Sequence, residues 1–135
     1  MFKEKISLIL PAHNEDENIK SLIQNIYQTF KENNLENLLE VIVVNDGSKD
    51  NTENEVNKMV KQYNNLILIN LKSNVGKAYA LDIGINNSNS PIKAVAEAGV
   101  SLPSSTNVTL SNFASAPKKA SFSAKRRVSS VLAFL

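Results

Sequence analysis

Glu15, Asp46 and Lys77 are the side chains in this sequence best placed to do chemistry together. Asp46 follows the apolar run EVIVV in an Asn-Asp-Gly-Ser turn, so its carboxylate can stand at a strand tip as a hydrogen-bond acceptor. Such an acceptor suits a ligand N–H, for example the imide of uracil or the amide and amino edge of guanine, or ribose hydroxyls. Glu15, which ends PAHNE, could take ribose hydroxyls in the same way. Lys77 opens a helical pattern after KSNVG, and an ammonium beside the positive end of a helix favours a phosphate. Each residue also has a plainer role. Asp46 and Asp50 suit a turn and an N-cap, Glu15, Asp16 and Glu17 complement a helix dipole, and Lys77 suits an exposed surface. Gly76-Lys77 lacks the Gly-x-x-x-x-Gly-Lys-Ser/Thr spacing of a Walker loop. His13 is the only histidine and there is no cysteine, so no metal site of those ligands follows.

The elements that must position these residues are legible from periodicity. Residues 6–10 (ISLIL) form a run of the kind that is buried on both faces, stopped at Pro11, which cannot donate to a ladder. Ile19, Leu22, Ile23, Ile26, Tyr27 and Phe30 recur on one face of a helix. Residues 38–44 (LLEVIVV) predict a second strand, Asp50 with Glu53 resembles a capping box, and Val56, Met59, Val60 and Tyr63 stripe a second helix. Residues 66–71 (LILINL) predict a third strand. The helix after it carries Ala78, Ala80, Leu81 and Ile83, with Gly84 placed to end or loosen it. Three parallel strands with alternating helices and short loops are therefore expected, an α/β unit whose polar loops AHNE, NDGSKD and KSNVGK converge beyond the strands' carboxyl ends. Residues 92–96 and 106–110 could add strands. No structure is assigned to residues 100–135, and a poorly defined or disordered tail is expected there.

The charge is unevenly spread. Residues 1–90 hold 9 Lys and 12 Asp or Glu, whereas residues 91–135 hold 6 Lys or Arg and the single acid Glu97. Asparagine gives way to Ser and Ala at the same place, which puts a boundary near residues 86–91 and divides the chain into 1–86 and 87–135. The tail KKASFSAKRRVSSVLAFL is read as a solvated basic segment in preference to a binding module for anionic lipid or nucleic acid. No long apolar run or signal-peptide pattern occurs, so the expected location is the cytoplasm, including the inner face of a membrane.

The motifs ISLILPAHNEDENI, EVIVVNDGSKDNT and NVGKAYALDIGI, collinear over about residues 4–86, resemble the N-terminal half of family 2 glycosyltransferases. The resemblance implies the Rossmann-like GT-A fold and transfer of a sugar from a UDP- or GDP-type nucleotide sugar to an acceptor such as a polyprenyl phosphate or a glycan. It further implies that Pro11, Ala12 and Glu15 line the nucleotide, with Glu15 near the ribose, that Asp46 accepts from the base, and that Lys77 lies near the diphosphate. Asn45, His13 and Asp82 stand where the family more often has Asp, Tyr and Asn.

The family also uses Mg²⁺ or Mn²⁺ held by an Asp-x-Asp motif after a fourth strand, to neutralise the charge that builds on the leaving nucleoside diphosphate. Here the corresponding positions read Glu97-Ala98-Gly99, and glycine has no ligating side chain. The motif loss coincides with the change in composition. That coincidence predicts a truncated member, from residue 87 onward frameshifted or fused, for which the alternative to a transferase is an inactive nucleotide-binding remnant. Without a full fourth strand, ISLIL would be an apolar edge, and self-association through it is expected.

Overall fold

The computed structural model describes residues 4–96. The elements in chain order are β1 (Ile6–Ala12), α1 (Ile19–Glu32), a 3₁₀ turn (Glu36–Leu38), β2 (Leu39–Asn45), α2 (Thr52–Val60), β3 (Leu66–Asn70), α3 (Lys77–Asn86) and β4 (Ile92–Val95). The four strands form one sheet in the order β3-β2-β1-β4, with every neighbouring pair parallel. The chain steps outward from β1 to β3 and then crosses back to β4. Right-handed crossovers must therefore put α1 and α2 on one face and α3 on the other.

The apolar runs follow from this burial on two faces. Alternate residues of β1 and β2 (Ile6, Leu8, Leu10, Val41, Val43) pack with Ile19, Ile23, Ile26 and Phe30 of α1 and Val56 and Met59 of α2. Ile9, Ile42 and Val44 point the other way, onto Ala80 of α3. All six stripe positions of α1 are buried. Tyr63, just past α2, stacks on Tyr27 with ring centroids 3.8 Å apart. Burial, and then the neighbouring Tyr63, raise the Tyr27 phenol well above its ordinary pKa.

Four expectations are corrected. The sheet has a fourth strand, and β1 is an interior strand, with Ile6–Ile9 registered on Ile92–Val95 as well as on β2. The apolar edge expected at ISLIL is thus absent, and self-association through it loses its basis. β1 also runs through Pro11 to Ala12. Ala12 accepts from Asp46 on the β2 side and Ile9 accepts from Ala96 on the β4 side, so alternation aims the nitrogen of Pro11 at the β4 side. Its missing N–H falls where the β1–β4 pairing ends, and the sheet opens there. Gly84 neither ends nor loosens α3. It lies inside the helix, where a Cβ would come within 2.4 Å of Ile9 Cγ2, so glycine lets α3 lie close against β1 and β2. Asp50 and Glu53 form no capping box, because Asp50 bonds forward to Thr52 and Glu53 accepts from Asn70. The tail expected to be disordered lies outside the described residues.

Candidate functional site

The first two polar loops are sewn to each other. Asn14, held at φ +53°, donates its N–H to Ser48 Oγ at 2.9 Å and accepts the Lys49 N–H on Oδ1 at 2.9 Å. The Glu15 N–H donates to Thr52 Oγ1 at 2.9 Å. The Asp16 N–H donates to the Asp50 carboxylate, and Asp16 in return accepts from the Asn51 N–H. Asp50 also accepts the Thr52 N–H at 2.9 Å and the Thr52 hydroxyl. Partial burial works against ionisation of Asp50, but these hydrogen bonds outweigh it and hold the carboxyl below its ordinary range. The acids and amides of AHNEDEN and NDGSKDNT thus go largely into fixing one loop on the other, with Glu15 carried at the join.

The third loop is fixed by Asp46, which is 3% exposed. One carboxylate oxygen accepts the Val75 N–H at 2.7 Å and the other the Gly76 N–H at 3.1 Å. Successive N–H groups thus converge on one anion, and Gly76, at φ +95°, then turns the chain into α3. Gly47, at φ +64°, lies directly under the same loop, and a Cβ there would stand 2.4 Å from Asn74 N. On its outer side Asn45 donates to Asn70 at 2.9 Å, and Asn70 donates to Glu53 at 3.1 Å.

A cavity of about 340 Å³ opens between the end of β1 and the start of α3, lined by Pro11, Ala12, His13, Glu15, Asp46, Asn74, Gly76 and Lys77. All five residues singled out in the sequence for a nucleotide, Pro11, Ala12, Glu15, Asp46 and Lys77, meet in its wall. Asp46 differs from an open acceptor, since both of its oxygens already hold backbone N–H groups. His13 and Asn74 were not among the five. His13 Nδ1 lies 2.8 Å from the Asp46 carbonyl, which can only accept, so Nδ1 carries the proton and Nε2 accepts from the Asn14 amide at 3.2 Å. Asn74 belongs to the Asn-x-Gly-Lys string, and that string was the available signal for it. A second hollow, of about 650 Å³, lies on the α2 side of the third loop and shares His13 and Asn74 with the first.

Metal ligation has little to draw on. Among the described residues, no group of three or more His, Cys, Asp or Glu could hold a metal ion. Glu97 and Gly99, the positions expected for Asp-x-Asp, lie outside the described residues. Among the described residues, no helix is long and apolar enough to cross a membrane.

A 3-2-1-4 parallel sheet, with helices on both faces and three polar loops at its carboxyl ends, defines a Rossmann-like fold of the GT-A class. The chain belongs to glycosyl transferase family 2, whose family model matches residues 7–99. It is 34% identical over 84 residues to a dolichyl-phosphate beta-glucosyltransferase of Trichomonas vaginalis, covering 58% of this chain and 25% of that protein. It is 38% identical over 82 residues to the poly-beta-1,6-N-acetyl-D-glucosamine synthase of Staphylococcus aureus, covering 61% and 18% respectively. Among solved structures, a mannosyltransferase of Pyrobaculum calidifontis in complex with GDP-Man and Mn²⁺ superposes with a TM-score of 0.63 at 25% identity, covering 72% of this chain and 28% of that one. Staphylococcus aureus TarS in complex with UDP-GlcNAc superposes at 0.58 and 22% identity, covering 69% of this chain and 26% of that one, a likeness of fold. The chain thus spans about a quarter or less of the length of the curated relatives it matches.

Proposed function

We propose that this chain supplies the nucleotide-sugar-binding part of a glycosyltransferase, which passes a sugar from a UDP- or GDP-type donor to a polyprenyl phosphate or glycan acceptor. The observation that carries this reading is the meeting of Glu15 and Lys77 across one cavity at the carboxyl end of β1, in a chain of this family. Glu15 Oε2 already accepts from Asn18 at 3.3 Å, which orients the carboxylate while leaving it capacity for ribose hydroxyls. Lys77 is the first residue of α3, so its ammonium and the helix N-terminus act on the same diphosphate. Pro11 and Ala12 give the cavity a small apolar floor beneath the nucleoside. The relatives named for glucosyl, mannosyl and N-acetylglucosaminyl chemistry support a nucleotide-sugar donor and leave its sugar open.

In the family a divalent ion supplies electrostatic stabilisation of the leaving diphosphate when bound. The residues described here act on the donor by binding and orienting it. Calorimetric titration of the full chain with UDP and GDP tests the reading. Saturable binding of at least one, weakened roughly tenfold by Glu15→Ala and by Lys77→Ala, is expected for loss of one charged contact each. Absence of saturable binding to either nucleotide, with or without Mn²⁺, rejects it. Incubation with labelled nucleotide sugars then separates transfer from binding alone.

A further inference from the structure

We infer that the outer edge of β3 is an interaction surface for a second copy of this chain, the two β3 strands pairing antiparallel about a two-fold axis at Leu68. β3 ends the sheet, and among the described residues no strand covers its outer side. The Leu71 N–H donates to the Asn45 carbonyl and the Asn65 carbonyl accepts from the Val41 N–H, so odd-numbered residues here turn their backbone groups toward β2. Alternation then turns those of Leu66, Leu68 and Asn70 outward. The Leu66 N–H donates to the Tyr63 carbonyl at 3.2 Å, which leaves the Leu66 carbonyl and both groups of Leu68 and Asn70 for a partner. Sheet edges are commonly guarded by a charge, a proline or a bulge. LILIN has none of these, and it pairs with β2 residue for residue from Leu66 to Asn70.

The edge is self-complementary. With Leu68 opposite its own copy, the two Leu68 residues exchange N–H···O bonds in both directions, and each Asn70 N–H meets the Leu66 carbonyl of the second copy. Centring on Leu68 uses the whole strand and asks nothing of the occupied Leu66 N–H. The same register sets Ile67 opposite Ile69 of the second copy in a non-hydrogen-bonded pair, where cross-strand side chains come closest. Ile67 is 40% exposed and shares the α3 side of the sheet with the partly buried Ile69, so the pairing covers the apolar side chain that β3 leaves most open. On the other face α2 packs against β3, with Glu53 and Glu55 in its first turn, Lys58 in its last and Lys61 at its C-cap. A two-fold that reverses β3 reverses α2 with it. The acidic start of each α2 then lies beside the basic end of the other, with the helix dipoles opposed. That charge pattern, with the register, selects a second copy over an unrelated strand. Association through β3 closes at a dimer, because each copy offers one such edge. No β3 residue lines the cavity between β1 and α3, so the dimer leaves that cavity open and stands independently of its ligand.

The full chain contains no cysteine, so a single introduced thiol reports its own position. Sedimentation velocity over a concentration series should show a monomer–dimer equilibrium. Ile67→Lys, at an exposed position, should weaken the dimer roughly tenfold without altering the far-UV circular dichroism, since the change enters twice by symmetry. Oxidation of an equimolar mixture of Ile67→Cys and Ile69→Cys chains should give the mixed disulfide-linked dimer well above the share that random pairing gives. In this register the unlike positions face each other at disulfide distance. A chain that stays monomeric, a dimer that Ile67→Lys leaves intact, or disulfides distributed at random would each overturn the inference. An edge covered instead by residues 97–135 would give the first of these results.

Discussion

Gly47 is where a single methyl group would do most damage to the site. Its φ of +64° belongs to the left-handed region, and its missing Cβ would collide at 2.4 Å with the backbone of Ser73 and Asn74. Strain at such a φ costs about 1–3 kcal/mol by itself. A backbone neighbour cannot rotate away as a side-chain end can, so the collision adds to that strain. Gly47→Ala is expected to lower the urea midpoint by an amount corresponding to at least about 2 kcal/mol, and to release the third loop from the strand tip. An unchanged midpoint would show that the loop can move off without loss. Gly84→Ala offers a contrast, because the neighbour there is the Ile9 side chain, and a cost in the ordinary range of overpacking, about 1–3 kcal/mol, is expected.

At the scale of elements, the join between the first two loops depends on Thr52, fully buried at the start of α2. Its hydroxyl accepts the Glu15 N–H and donates to Asp50. Thr52→Val keeps the shape and strands the Glu15 N–H, which should cost about 1–3 kcal/mol in denaturant unfolding and weaken nucleotide binding through Glu15. An unaltered midpoint would sink this account. The same join titrates. Asp50 has a folded-state pKa below its ordinary value of 3.8, so its stabilising contribution is complete above that value and is lost as pH falls through the lower folded one. Asp50→Asn should therefore flatten the acid limb of a stability profile below about pH 4 and leave its slope near neutrality unchanged. The alternation of strands and helices, and every buried position of α1, were legible in the sequence because periodicity reports burial directly. The passage of β1 through Pro11 was hidden, since its cost depends on which neighbour the missing N–H faces. The job of Gly84 depends on Ile9, far away in sequence, and the partners of Asp46 lie 29 and 30 residues on. Local spacing placed these residues in the site, but only the folded chain shows what each one touches.

Across the whole molecule the two faces of the sheet are unequally buttressed. On one side Ile19, Ile23, Ile26 and Phe30 of α1 and Val56 and Met59 of α2 bury large side chains against β1 and β2. On the other, α3 approaches through Ala80 and Gly84, and its Leu81, Ile83 and Ile85 are only partly covered. Ile67 of β3, on the α3 side by strand alternation, stays 40% exposed, and Val75 and Tyr79 are 44% and 58% exposed. Hydrophobic stabilisation scales with apolar area removed from water, so detaching α3 forfeits much less than detaching α1. Opening of α3 is expected to be a local event of lower free energy than global unfolding, as is common for elements that bear ligand-binding groups. Native-state amide exchange should show it: amides of α3 exchanging through local opening, those of β1, β2 and α1 only with global unfolding. Because Lys77 and the loop held by Asp46 begin α3, a bound nucleoside diphosphate should slow exchange selectively in α3 and leave α1 unchanged. Exchange in α3 as slow as in the centre of β1, before any ligand is added, would mean that the close approach at Gly84 binds this helix as firmly as the larger side chains bind α1, and would reject the idea of a separable helix.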